Sequence, residues 1–536
     1  MSDDAQLLTG EIVTMDPRRP QVQALAIAGG TIVGWGCREE AAALLPPGTP
    51  ERRLRGTVVP GLIDSHVHML WGGRDRDRVE LAGSASVAEL LERIRAWAAA
   101  RPGDPWIVGS AGVDAERLAE KRFPTRAELD DATGGRPLFL DRRAHDALVN
   151  SAALAAAGIG RDTPDPPGGV IERDERGEAT GLLVERPAAE LVERMLPAAT
   201  LADRVRWLES IQPAFHAVGI TAICDPALLP EEMAAYEAAL GAGRLTVRTT
   251  MMPLGDGEVA PQERWEQFAA AGIDLDRDEP LLKVGPVKLF GDGGGSLATA
   301  LLREPWPGTG RYFGNVTTTQ AGLHAYAQWC AAHGRGLGVH CVGGAMIDMV
   351  LAAFADADAA HGPIAPLGFT LIHAYLWPSP ENMRQARELG VLVATQAPLQ
   401  WSFGRGLVER FGVEAVGRAH PFRSWLEAGV TVGGGSDGPG ERLAPLFALQ
   451  QLQTREVDGV PGPVGPQEAV SAEQALALYT TGAAAITGMP RTGRLAPGCE
   501  ADLALLDRNP LTAPPHELGD GRVLMTMVGG EVVHES

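Results

Sequence analysis

Short apolar runs alternate with stretches of helical period over most of this chain, the pattern that parallel β/α units produce. The first run is Pro60-Gly61-Leu62-Ile63-Asp64-Ser65-His66-Val67-His68. Later ones are Ile220–Asp225, Leu245–Met251, Leu281–Leu289, Gly336–His340, Gly368–His373, Val391–Gln396 and Val430–Gly434, which makes eight. Helices between them carry readable caps. Thr200 precedes an apolar-periodic run that stops at Gly219. Ser379-Pro380 opens a helix that Gly390 closes, and Ser471-Ala472-Glu473-Gln474 fits a capping box. Eight such units predict an α/β fold of the (β/α)8 TIM barrel type, with its chemistry at the C-terminal ends of the strands.

The two ends of the chain have a different texture. Apolar runs around Gly29-Gly30 and around Gly529-Gly530 read as hairpins. Neither end can bury two sheet faces alone, so both are expected to build one small β-sandwich domain. The predicted boundaries are 1–58 and 486–536 for that domain and 59–485 for the barrel. Residues from about 70 to 200 do not fit the strand count. They carry a helix capped at Ser86, strand-like runs at Trp106–Val113 and Pro137–Asp141, and a Pro/Gly-rich stretch from Asp162 to Gly169. They read as an insertion after the first barrel strand.

Composition narrows the function classes. The 536 residues exceed the size at which a single core keeps growing. The formal charge of −21 repels phosphate backbones, which argues against nucleic acid as a partner. Five scattered cysteines without a Cys-x-x-Cys spacing fit a reducing compartment. No secretory leader and no run of about 18 apolar residues is visible, so a cytoplasmic protein free of membrane spans is expected. A small-molecule substrate and, by base rate, a homodimer complete the expected partners.

Alternation along a strand sends residues i and i+2 to the same side, so His66 and His68 would project together from the first strand. Imidazole is a common ligand for zinc-like ions, and two on one rigid element fix two coordination positions. Four further metal-capable residues end predicted strands: Lys288 on the fourth, His340 on the fifth, His373 on the sixth and Asp437 on the eighth. Each alone has an ordinary structural reading. Together at one rim they point to a metal site.

The ordered set resembles the amidohydrolase superfamily of metal-dependent hydrolases, and within it the YtcJ-like branch (amidohydrolase family 3, which includes N-substituted formamide deformylase). The similar stretches are Val59 to His68, Val287-Lys288-Leu289-Phe290-Gly291-Asp292-Gly293 with Thr299-Ala300, Val339-His340, Ile372-His373 and Gly435-Ser436-Asp437. His145 to Leu154, Tyr479-Thr480 and Gly498 to Leu503 match as well. The resemblance implies a divalent metal cofactor, zinc by default, as one or two ions. It implies that Lys288 is carboxylated to N6-carboxylysine and bridges them. His66, His68, the carbamate and Asp437 would hold one ion, and the carbamate, His340 and His373 the other. Asp437 would move the proton between water and leaving nitrogen. The implied reaction is hydrolysis of a C–N bond, with an N-substituted formamide or linear amide first, and an N-acyl amino acid or cyclic amide (or deamination) next.

Two stretches depart from the branch. His340-Cys341-Val342-Gly343-Gly344 lacks the usual acid at its last position, and Arg142-Arg143-Ala144 replaces the usual approach to His145. His145 is either a substrate or oxyanion hydrogen-bond donor or a structural histidine near a helix start. Asp292 is either a supporting partner of the metal site or a turn residue. Trp71 and Trp106 fit a pocket lining or, better, a core. Cys341 should point away from His340's side, and His216, His324 and His333 should be exposed on helices. Gly434-Gly435-Ser436-Asp437-Gly438 also matches a serine nucleophile elbow, and a barrel kept as a non-catalytic regulator is the third reading.

Overall fold

The computed structural model describes residues 5–81, 83–110, 115, 118–142, 146–166, 169–438 and 442–536. The chain divides into two compact units, Met1–Leu70 with Ile211–Ser536, and Trp71–Ser210.

In the first unit both chain ends enter one seven-stranded sheet. Its order is Glu531–Glu535, Val523–Val528, Leu503–Leu506, Glu51–Pro60, Gln6–Val13, Gln21–Ala28 and Thr31–Gly36. Leu8, Ile12, Leu25, Ile27, Leu503, Met525 and Met527 form one buried cluster, so residues from the two termini complete a core that neither end could make. The two Gly-Gly turns meet: a Cβ on Gly30 would stand 2.8 Å from the Gly529 carbonyl oxygen. All four turn glycines have positive φ, which suits them to tight hairpins.

The parallel strands run in two sets. Leu62–Asp64 (β1), Ile220–Leu228 (β2), Arg248–Pro253 (β3) and Leu282–Val284 (β4) pair in that order. Val287–Phe290 (β5), Leu337–Gly343 (β6), Thr370–Leu376 (β7), Leu392–Thr395 (β8) and Val432–Gly434 (β9) pair likewise. Leu254, just past β3, bridges Lys288 of β5 in parallel, and the Ser65 amide donates to the Gly434 carbonyl at 3.0 Å. The expected fourth strand is therefore two pieces. Pro286 has no amide hydrogen for the ladder, and Gly285 lies so close to Thr250 that a Cβ would reach it at 2.4 Å. Val339, Leu371 and Val393 pack with Ile347, Leu351 and Phe354 of the helix Gly344–His361, the amphipathic logic of a β/α unit.

The predicted caps form. Ser379 accepts from the Asn382 amide, and Gly390 ends that helix at φ 66°. Ser471 and Gln474 make a reciprocal box. The helix Leu201–Ala217 starts after Thr200, whose hydroxyl accepts from Asp203.

His216 corrects an expectation: it is 3 % exposed. Its Nδ1 lies 3.1 Å from the Ile220 carbonyl and its Nε2 2.8 Å from the Thr246 hydroxyl. Burial pulls its pKa from 6.5 down to about 4. Between those values the unfolded chain binds a proton that the folded chain refuses, so stability must fall as pH drops through the window. The expected loss from this residue is about 3 kcal/mol. Denaturant unfolding of wild type and His216→Gln across that range should show a shallower pH slope for the variant.

The second unit holds a six-stranded sheet, in order Val170–Arg173, Ala179–Val184, Asp146–Val149, Leu138–Arg142, Ile107–Ser110 and Val79–Glu80. The helix Val87–Ala100 is capped by Ser86, which accepts from the Glu89 amide. Trp106 packs partly buried against the cluster of Phe139, Ala147 and Val149, the core role rather than the pocket one. Trp71 is half-buried, with the Arg74 guanidinium 5.9 Å from its ring centre. All five cysteines are free thiols. Among the described residues no helix is long and apolar enough to cross a membrane.

Candidate metal centre

The first histidine pair stands just beyond its strand. β1 ends at Asp64, whose Oδ1 accepts from the His66 amide at 3.2 Å and from the Ser436 amide at 2.9 Å. From there the chain zips to the outlet of β9. The Asp437 amide donates to the His66 carbonyl at 2.8 Å and the His68 amide to the Gly438 carbonyl at 2.9 Å. A Cβ on Gly435 would meet the His66 nitrogen at 2.8 Å, so only glycine permits this approach. Asp437 itself sits at φ 60°, a conformation that Asp tolerates better than most residues. As a result its Oδ1 lies 3.4 Å from His66 Nε2 and 3.6 Å from His68 Nε2.

Lys288, His340 and His373 come from β5, β6 and β7. The pairing of β6 with β7 slips between Cys341 and Gly343, and His373 and Ala374 adopt φ of 75° and 44°. This distortion in mid-strand presents the His373 ring 5.0 Å from that of His66 and 4.5 Å from that of His340. Donor atoms of His66, His373 and Asp437 lie within 4.8 Å of one another; His68 and His340 stand outside that inner set. His340 Nε2 faces the Gly293 carbonyl at 3.3 Å and Asp292 at 3.8 Å. Lys288 is 1 % exposed, and its Nζ has no hydrogen-bond partner among the described residues. It lies 5.0 Å from the centre of the Phe290 ring. Cys341 turns away as alternation requires, its thiol toward the Ile372 carbonyl.

The charges suit a cation. Burial, then the nearby Lys288, pulls His66 down to about 4 and His340 down to about 3. Burial and the charge of His340 hold His373 well below its usual value. These imidazoles are neutral near pH 7 and keep a lone pair to offer. Burial works to raise Asp437, yet hydrogen bonds from His66 and His68 keep it well below the carboxylate range. Burial lowers Lys288 to about 8.

Asp292 is more than a turn residue. Its carboxylate accepts from Leu301 at 2.8 Å and from Val342 and Gly343 at 2.9 Å, which fastens the segment after β5 to the end of β6. The serine elbow is not built. Ser436 Oγ accepts from the Gly438 amide, and among the described residues the next helix starts only at Pro445. His145 lies outside the described residues.

Two supporting residues escape the sequence reading, although each closes one of the apolar runs, Ile220–Asp225 and Val391–Gln396. Asp225 faces His68 Nδ1 at 4.0 Å and accepts from the Leu70 amide at 3.1 Å and from the Tyr236 hydroxyl. Gln396 Oε1 accepts from His373 Nδ1 at 2.6 Å, which fixes the tautomer and leaves Nε2 free to coordinate. Gln396→Leu should therefore weaken divalent-metal affinity about 10–100-fold, measured by chelator competition.

A family model described as the amidohydrolase family matches residues 56–534. N-substituted formamide deformylase of Arthrobacter pascens is 29 % identical over 99 % of this chain and 98 % of its own. A Bacillus subtilis protein named as an amidohydrolase, YtcJ, is 28 % identical over 98 % of both chains. The crystal structure of an uncharacterised metal-dependent hydrolase from Pyrococcus furiosus superposes with a TM-score of 0.77 at 26 % identity, covering 95 % of this chain and all of the other.

Proposed function

Because the chain belongs to the amidohydrolase family, we propose that it is a metal-dependent hydrolase of C–N amide bonds, acting first on N-substituted formamides and related linear amides. The likeness to N-substituted formamide deformylase supports that substrate class. We read the two parallel strand sets as one (β/α)8 barrel closed through Leu254–Lys288 and Ser65–Gly434. The observation that carries the reading is a buried lysine amine without a hydrogen-bond partner among the described residues, beside neutral imidazoles and an ionised carboxylate.

An unpaired buried ammonium is costly, so the fit is to a neutral amine that reacts further. Its nitrogen bonds to the carbon of CO2 and loses one proton, which leaves an anionic carbamate able to ligate cations. His66, His68 and Asp437 would then hold one divalent ion and His340 and His373 a second, with carboxylated Lys288 shared. Zinc is the default for nitrogen-rich ligands of this kind. Bound ions supply Lewis-acid polarisation of the substrate carbonyl and acidify water toward a pKa of about 7. Asp437 takes the proton of the attacking water and returns it to the leaving nitrogen as the C–N bond breaks. Gln396 holds His373 in the ligating tautomer throughout.

The test is a panel of N-substituted formamides, linear amides, N-acyl amino acids and lactams, with product amine quantified. Formamides should release formate and amine, chelator should stop turnover, and added zinc should restore it. Metal-replete protein inert across the panel would remove the substrate class. Turnover that persists after the metal is stripped would remove the metal chemistry.

A further inference from the structure

Arg303 occupies the segment between β5 and the helix Gln320–Ala332, and its guanidinium is a four-bond hub. Nε and Nη2 pair with both carboxylate oxygens of Asp348 at 2.8 and 2.7 Å. Nη2 also donates to Asn382 Oδ1 at 2.8 Å, and Nη1 to the Trp377 carbonyl at 2.8 Å. Asn382 Nδ2 donates to the same Asp348 at 2.8 Å, while Asn382 Oδ1 accepts from the Ser379 amide at the start of the helix Pro380–Leu389. One side chain thus fastens the segments that leave β5, β6 and β7. These strands carry Lys288, His340 and His373.

A partly exposed ion pair by itself does little. Here the planar fork also holds the carbonyl of Trp377, a single left-handed residue at φ 58° just past β7, three residues after the left-handed pair His373 and Ala374. Strained backbone of this kind persists only where its surroundings hold it. Gly344 makes the room: a Cβ there would stand 2.5 Å from Arg303 Nη1 and 2.8 Å from the Trp377 oxygen. The carboxylate that meets Arg303 comes one helical turn after Gly344, from Asp348.

We propose that Arg303 is a positioning residue for the part of the metal centre built by His340 and His373, and that Gly344 is required so that it can be one. This rests on the metal-dependent reading above. The experiment titrates metal-free wild type, Arg303→Met, Arg303→Lys and Gly344→Ala with Zn2+ against a chromogenic chelator, and follows amide hydrogen exchange over residues 371–379. Wild type should bind two equivalents. In all three variants one equivalent should keep wild-type affinity while the other weakens about 10–100-fold, with faster exchange over 374–379. Lysine should fail to rescue, because it keeps the charge but not the fork.

Several outcomes overturn the proposal. Variants that bind both equivalents as wild type does would do so, as would equal loss of both equivalents, which marks a merely structural role. Faster exchange with unchanged metal affinity would do so too. A wild type that holds a single equivalent removes this proposal but leaves the hydrolase reading standing. A wild type that holds none removes both before any variant is compared.

Discussion

Lys288→Met is expected to abolish amide hydrolysis and metal retention while making the metal-free protein more stable. The side chain is buried, its amine has no hydrogen-bond partner among the described residues, and burial moves its pKa from 10.5 down to about 8. In protein stripped of metal and CO2, the protonated form below pH 8 is a desolvated charge that costs about 3 kcal/mol relative to the unfolded chain. The sign follows from proton counts. Between about 8 and 10.5 the unfolded lysine keeps a proton that the folded one has lost, so wild-type stability rises with pH through that window. Methionine, similar in length and apolar, removes both the cost and the slope. Denaturant unfolding at pH 7 should favour the metal-free variant by about 3 kcal/mol, with the gap closing toward pH 10.5. Equal stabilities at pH 7 would mean that Lys288 has a partner in solution. A stabilising change that removes activity is what a residue kept for chemistry predicts.

Asp437→Asn should lower kcat by about 10²–10⁴-fold with the fold intact. The backbone at this position sits at φ 60°, and Asn enters that region as readily as Asp. The amide of residue 437 still donates to the His66 carbonyl, so the loop register does not depend on the carboxylate. What disappears is the anion facing His66 at 3.4 Å and His68 at 3.6 Å. Circular dichroism should overlay that of wild type while turnover is lost. Asp437→Ala is the harsher control, because alanine pays the left-handed strain without a side chain to offset it. A kcat for Asp437→Asn within tenfold of wild type would take proton transfer away from this residue.

Much of this layout is legible in the chain because apolar runs and their last residues carry the signal. The run pattern locates β5, β6 and β7 but not their ends: Lys288 is the second of four residues in β5, and β6 and β7 each continue three residues past His340 and His373. The caps at Ser379 and Ser471 follow from local chemistry alone. What the pattern does not carry is set by long-range contact. β1 stops at Asp64, since the carboxylate diverts the next amides toward β9, and so His66 and His68 lie past the ladder that alternation assumes. The break at Gly285-Pro286 depends on Thr250, which is distant in sequence. His216 is buried by partners on a neighbouring strand and loop, which helical periodicity cannot reveal. Gln396 and Asp225 stand at readable strand ends, but amide and carboxylate side chains there acquire meaning only once His373 and His68 are beside them. The Arg303 hub joins three segments through one loop residue and has no periodic trace at all.

Whether the six candidate side chains hold metal is decided by anomalous diffraction from crystals grown with Zn2+, collected at the zinc absorption edge. Strong peaks are expected within coordination distance of His66, His68 and Asp437 and of His340 and His373, with density for a carbamate on Lys288 between them. Ordered side chains at all six positions with no anomalous peak among them would contradict the proposed metal centre.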